Sequence, residues 1–323
     1  SFKEAIKLNP KYIEAYFSLG VTYREIRDFN SSKKNFLKAM EINSSYPYLK
    51  GALRFVKNSL CDWDNYNNDL YDLEIDIKNN KKVLTPWQGL SLFKSPSLQI
   101  KNTSLFFEKK EKVTIPILLK KKKITIGYFS ADFCEHAVSN QISEILKLHN
   151  KDNFEIFGFY LGVKSDFKLD EIKKNFNKFF DISQESTEDV IKLAKSLAID
   201  IAVDLMGYTK SNRYEIFNNR CAPIQVSYLG FAGTTALKNM DYIVADQNVI
   251  SNKQKKFYSE NIIYLPNSFM PNNESQIISR IRYSKQDEGL PRDSVIYCCF
   301  NKHYKITPEI FDLWIDIFNN VEK

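Results

Sequence analysis

From Lys123 onward the chain alternates short apolar runs with longer amphipathic stretches. ITIGYFSADF, NFEIFGFYLG, KFFDI, IDIAVDL, IQVSYL, DYIVAD, NIIYL and VIYCCF are rich in β-branched and aromatic residues, the composition of buried strands. Helical patterns lie between several of them, among them Val138 to Leu148 and Thr187 to Leu197. Strands alternating with helices predict an α/β lobe with a doubly wound, Rossmann-like parallel sheet, assigned here to 123–290 with its last strand ending near Leu265. VIYCCF and the helical stretch Pro308 to Asn319 predict the opening βα unit of a second lobe over 291–323, which the chain does not continue far enough to close.

Before Lys123 the pattern is helical. Ala5, Ile6, Leu8 and Asn9 recur as Ala39, Met40, Ile42 and Asn43, an offset of 34, and Phe2 recurs as Phe36. That period belongs to tetratricopeptide helix pairs, and Tyr16, Leu19, Gly20, Tyr23, Ser32, Phe36 and Ala39 fall where two antiparallel helices interlock. Ser32, for the usual alanine, and Ser44, for the closing proline, depart from the pattern. Residues 1–45 are thus a tetratricopeptide repeat, which cannot bury its faces alone, and further repeats are expected before Ser1. Residues 46–122 read as a helical cap and linker, interrupted at Pro86 and Pro96. Asp62-Trp63-Asp64 has the spacing of a metal-binding carboxylate pair, but Cys61 to Tyr66 reads as continuing a helix, and no metal is expected.

Composition changes this picture little. Apolar residues at 43% and charged residues at 26% describe an ordinary globular protein. The net charge of +7 is spread along the chain, so no nucleic-acid partner is expected. The densest basic run, Lys109 to Lys123, reads as a solvated linker face. Cys61, Cys134, Cys221, Cys298 and Cys299 form no CxxC and no paired framework, which points to a reducing, cytoplasmic setting. No apolar run reaches the roughly 18 residues of a membrane span and no signal peptide is visible, so no membrane partner is expected. The chain opens at Ser1 within a helical pattern, and its natural N-terminus is expected upstream.

Candidate chemistry collects where apolar runs break into glycine-bearing turns. Gly207, Tyr208, Thr209, Gly230, Gly233, Thr234 and Thr235 follow IDIAVDL and IQVSYL, at predicted strand C-terminal ends. In open α/β sheets ligands sit outside those ends, and glycine lets backbone N–H groups approach a phosphate. His136 follows the first strand and precedes a helix, and an imidazole titrating near about 6.5 suits a general base. Lys305 precedes a helix whose first turn carries Thr307 and Pro308, a place from which it would neutralise a leaving phosphate. Asp204 either orients a hydroxyl or caps its own turn.

The segments IGYFSADFCEHAVSN, DLMGYTKSNRYEIFNNRCAPIQVSYLGFAGTT with MDYIVAD, YSENIIYLPNSF and YCCFNKHYKITPE resemble, in order and spacing, the O-linked N-acetylglucosamine transferases. The repeat stands on the side where that family carries its own. The resemblance implies a metal-independent, inverting transferase of the GT-B type with two Rossmann-like lobes. It would move N-acetylglucosamine from UDP-N-acetylglucosamine to Ser or Thr of acceptor proteins held through the repeats, with no cofactor. It assigns His136 to the acceptor and sugar, Lys305 to the UDP leaving group, Tyr304 to the donor, and Gly207, Tyr208, Thr209, Gly233 and Thr234 to the turns bordering sugar and acceptor.

Departures are Ala232 where the family's GYPGT segment has proline, Cys221 for the first proline of PAPIQ, and Lys302 for a polar amide. The resemblance implies that the second lobe supplies most uridine and diphosphate contacts, and none of those contacts lies in these 323 residues, which hold only the start of that lobe. The chain is therefore expected to be an incomplete, inactive fragment of a transferase. The alternatives are a non-catalytic peptide-binding scaffold and an N-linked transferase, the latter disfavoured because that branch typically lacks a regular repeat array.

Overall fold

The computed structural model describes residues 2–107, 113–118, 120–274 and 276–321. Ser1 and part of the basic run Lys109–Lys123 lie outside them. The chain opens with helices α1 (Phe2–Leu8), α2 (Ile13–Glu25) and α3 (Phe29–Ile42). Asp28 caps α3 by accepting the Ser31 N–H at 3.0 Å. Helices α2 and α3 meet at Gly20, where an added Cβ would stand 2.5 Å from the Phe36 ring. Ser32 suits this close approach because its buried hydroxyl donates to the Gly20 carbonyl at 2.7 Å.

Helices α4 (Leu49–Ser59), α5 (Tyr66–Lys78), α6 (Pro86–Leu92) and α7 (Pro96–Phe106) follow. Pro86 and Pro96 open the last two, where a missing N–H costs nothing. The helix expected across Cys61 to Tyr66 is instead a turn, with Cys61 at φ 52° and Asn65 at φ 58°. The cause is Arg54, fully buried, whose guanidinium bonds the Asn58 amide, the Asp69 carboxylate and the Asp62 carbonyl and so folds the chain back. The Asp62 carboxylate is itself taken by Lys33 at 2.5 Å.

The sheet is built from β1 (Ile124–Ser130), β2 (Phe154–Tyr160), β3 (Lys178–Asp181), β4 (Ile201–Asp204), β5 (Ile224–Ser227), β6 (Tyr242–Ala245) and β7 (Asn261–Tyr264). Helices α8 (Ala137–Leu148), α9 (Phe167–Lys173), α10 (Thr187–Ser196) and α11 (Glu215–Asn218) lie between strands. All pairings are parallel, in the order β3-β2-β1-β4-β5-β6-β7. Ile126, Ile156, Val203 and Val226 from the sheet pack with Ile142 and Leu146 of α8 in one core. The chain runs outward from β1 in one direction and then from β4 in the other, so the crevice between those two strand ends is the topological switch point.

Past the sheet, Val295 to Phe300 forms no strand, contrary to expectation; Val295 is 61% and Phe300 96% exposed. An apolar run becomes a strand only with a neighbour to pair with, and no described strand pairs with it. Helix α12 (Pro308–Asn320) does form, its Thr307 hydroxyl accepting the Ile310 N–H at 3.4 Å.

Two compact units result: Ser1–Leu92 with Ile277–Lys323, and Phe93–Gln276. Helix α7 thus groups with the sheet, and residues from Ile277 group with the N-terminal helices. In that helical unit Tyr304 packs on Phe55 at 4.7 Å between ring centroids and Trp63 on Phe311 at 5.3 Å. Among the described residues no helix is long and apolar enough to cross a membrane.

Candidate active site

The switch point is closed by a sulfur. Met206, just beyond β4, accepts the Ala131 N–H at 3.2 Å and faces the Ser130 hydroxyl at 3.5 Å, joining the end of β1 to the turn after β4. That turn is set by Asp204. Its two carboxylate oxygens accept the N–H groups of Met206 at 2.9 Å and Gly207 at 3.1 Å, so of the two roles open to it, Asp204 caps its own turn. Gly207 needs its φ of +54°, and a Cβ there would lie 2.4 Å from the Phe231 side chain.

Burial pushes the Asp204 carboxyl up to about 6 despite those two hydrogen bonds. A carboxyl raised on folding stabilises the fold below its unfolded value, and that contribution is lost as pH rises through about 6. Each factor of ten in acidity is worth about 1.4 kcal/mol, so the loss between pH 4 and 7 is expected to be about 2 kcal/mol. Urea unfolding at both pH values should show this slope in the wild type and not in Asp204→Asn. Equal slopes would refute the assignment.

The loop after β5 lies against the same turn. Leu229 at φ 72° and Ala236 at φ 54° bracket it in left-handed backbone. At Gly230 a Cβ would meet the Leu205 carbonyl oxygen at 2.0 Å, so the two loops touch through bare backbone. Tyr208 is buried, its hydroxyl donating to the Thr235 carbonyl at 2.7 Å and its ring edge-on to Phe231 and stacked on Phe107. Burial raises its phenol far above the usual range. Thr209 donates its hydroxyl to the Met206 carbonyl at 3.0 Å. Gly233 and Thr234 are buried in the loop, and the Thr234 hydroxyl is spent internally, donating to Glu260 at 2.7 Å.

His136 caps α8, its Nδ1 accepting the Val138 N–H at 3.3 Å and lying 3.5 Å from the Asp132 carboxylate. Burial raises the Asp132 carboxyl, opposed by the nearby His136 and Lys164. The two neighbours of Nδ1 select opposite tautomers. Accepting from Val138 leaves the proton on Nε2, whereas donating to Asp132 frees the Nε2 lone pair to take one. The ring is 46% exposed, so a solvent-borne hydroxyl can reach it.

His136, Asp204 and the two glycine turns therefore belong to one unit. Tyr304 and Lys305 belong to the other, in a short 3-10 turn (His303–Lys305) ahead of α12. The Lys305 ammonium is exposed and has no ion-pair or hydrogen-bond partner among the described residues. Tyr304 is half-buried, and desolvation raises its phenol. Among the described residues no group of His, Cys, Asp and Glu side chains is arranged to hold a metal. Sequence reading missed Met206, Asp132 and Glu260 as organisers of the crevice. All three carried the same signal, since each lies in a segment that resembles the family: Asp132 in IGYFSADFCEHAVSN, Met206 in DLMGYTKSNRYEIF and Glu260 in YSENIIYLPNSF.

A doubly wound parallel lobe with glycine turns at its switch point, in one chain with a tetratricopeptide helix pair, is the architecture of a repeat-bearing glycosyltransferase. The model of glycosyl transferase family 41 matches residues 93–285 and 274–323, and a tetratricopeptide repeat model matches 1–34; the chain belongs to glycosyl transferase family 41. Relatives include the probable UDP-N-acetylglucosamine–peptide N-acetylglucosaminyltransferase SEC of Arabidopsis thaliana. It is 35% identical over 206 residues, covering 62% of this chain and 21% of that protein. The UDP-N-acetylglucosamine–peptide N-acetylglucosaminyltransferase of Caenorhabditis elegans is 28% identical over 266 residues, 73% of this chain and 23% of that one. The chain thus spans about a fifth of the length of the curated relatives it matches. In fold it is similar to the K341M mutant of Thermobaculum terrenum O-GlcNAc transferase, with TM-score 0.70 and 20% identity over 98% of this chain and 62% of that one.

Proposed function

We propose that this chain contributes the repeat-proximal and first Rossmann-like parts of a protein O-glycosyltransferase. It would move N-acetylglucosamine from UDP-N-acetylglucosamine to Ser or Thr hydroxyls with inversion and without a metal cofactor. The observation that carries this reading is the family match across 93–323 onto a lobe whose switch point joins the His136 loop to the Gly207 turn. The names of the relatives supply the donor and the peptide acceptor.

In this reaction the acceptor oxygen forms a bond to the anomeric carbon as the bond from that carbon to the diphosphate breaks, its electron pair leaving with UDP. His136, in the tautomer directed to Asp132, takes the hydroxyl proton. Asp204 positions the Gly207 turn against the sugar. Lys305 and the N-terminus of α12 offset the charge developing on the diphosphate, and Tyr304 flanks the donor. The repeat would hold acceptor peptides. Five free cysteines suit a reducing intracellular compartment.

The test is transfer of labelled N-acetylglucosamine to a serine peptide by the protein carrying its full natural sequence. Turnover is expected to be unchanged in EDTA, since charge neutralisation comes from side chains and backbone dipoles. Turnover abolished by EDTA and restored by Mg²⁺ would defeat the metal-free mechanism. Peptide binding without any transfer would leave a scaffold in its place.

A further inference from the structure

Glu260 directly precedes β7 and takes no part in the chemistry described so far. Its side chain is buried, and no lysine, arginine or histidine among the described residues pairs with it. A buried carboxylate without a cation is expensive unless hydrogen bonds satisfy it. Here they come from one dipeptide. The Thr235 N–H reaches Oε1 at 2.6 Å, the Thr235 hydroxyl donates to the same oxygen, and the Thr234 hydroxyl donates to Oε2 at 2.7 Å.

The same dipeptide is gripped from the other side by the Tyr208 hydroxyl on the Thr235 carbonyl. Thr234 has nothing left to rearrange, because its oxygen also lies 3.2 Å from both the Ser259 and the Ala236 N–H. The loop so held begins and ends in left-handed backbone at residues other than glycine, Leu229 and Ala236. Such backbone persists only where its surroundings over-determine it. A carboxylate only accepts hydrogen bonds, so the two threonine hydroxyls and the Thr235 N–H all turn toward it, which fixes the loop's orientation at both residues.

We propose that Glu260 is a positioning residue for glycosyl transfer: by clamping Thr234 and Thr235 it locks the loop after β5 to the turn after β4 in the one geometry that receives the sugar. The proposal rests on the glycosyltransferase reading. Glutamine is the discriminating replacement, since it keeps the shape and one acceptor oxygen but brings N–H groups to where Thr234 donates.

Two measurements on the protein carrying its full natural sequence, as wild type and as Glu260→Gln, decide it. The first is the steady-state kinetics of N-acetylglucosamine transfer to a serine peptide. kcat is expected to fall by about a hundredfold, the loss that ångström-scale misplacement produces, while KM for the donor shifts by less than about threefold. The second is hydrogen exchange, expected to speed up by about tenfold in residues 206–209 and 231–237 and nowhere else in the sheet. An active wild type with a variant of equal kcat overturns the clamp and leaves the transferase reading standing. If the wild type transfers no sugar, the transferase reading falls and Glu260 positions nothing for transfer. Exchange that speeds up across the whole sheet would show a merely structural carboxylate and also overturn the proposal.

Discussion

Replacing Asp241 by alanine is expected to destabilise the sheet-bearing unit by about 3–5 kcal/mol, the cost of leaving a buried charge without its partner. Arg220 is fully buried, and Asp241 takes its guanidinium through two bonds, at 2.9 and 2.6 Å, while accepting the Gln225 N–H at 2.8 Å. One carboxylate therefore joins the end of α11, the start of β5 and the start of β6. Loss of Asp241 strands both the cation and the strand N–H. The double variant Arg220→Met, Asp241→Leu should be less damaged than Asp241→Ala, because no charge is then left unpaired. Urea unfolding measures all three proteins, and a single-variant loss below about 1 kcal/mol would place the pair among exposed bridges of little consequence.

The second large effect is expected at Lys305. Lys305→Ala should lower transfer by at least about a hundredfold in the protein carrying its full natural sequence, the range seen when an oxyanion stabiliser is removed. Its ammonium has no partner among the described residues, so stability should be unaffected and the loss should appear in turnover alone. Donors with a more acidic leaving group should recover part of the deficit, because less charge then needs neutralising as the bond breaks. Rates that fall equally for every donor would argue against a role at the leaving group.

The inner strands β1, β4 and β5 were legible in the sequence because parallel strands buried on both faces read as unbroken apolar runs, and the edge strands β3 and β7, which are half-exposed, because they keep the same aromatic or β-branched composition. VIYCCF has the same composition but no described partner, and composition cannot report a missing neighbour. The turn at Cys61 to Tyr66 was hidden because Arg54, several residues upstream, imposes it. At the crevice, glycines marked the tight turns after β4 and β5, and Gly207 and Gly230 are required there by contact with Phe231 and Leu205. The direction of side chains was not legible. Thr234 turns its hydroxyl inward to Glu260, and Asp204 turns its carboxylate onto its own turn, because hydrogen-bond partners distant in sequence decide orientation.

Met206 offers something beyond its two hydrogen bonds. The chain has only four methionines, and this one is 1% exposed at the crevice where the ends of β1 and β4 meet. A protein grown on methyl-labelled methionine would thus carry a single resonance at the heart of the crevice. Any sugar, nucleotide or inhibitor that settles there should shift that signal while leaving Met40, in the tetratricopeptide helix α3, as an internal reference.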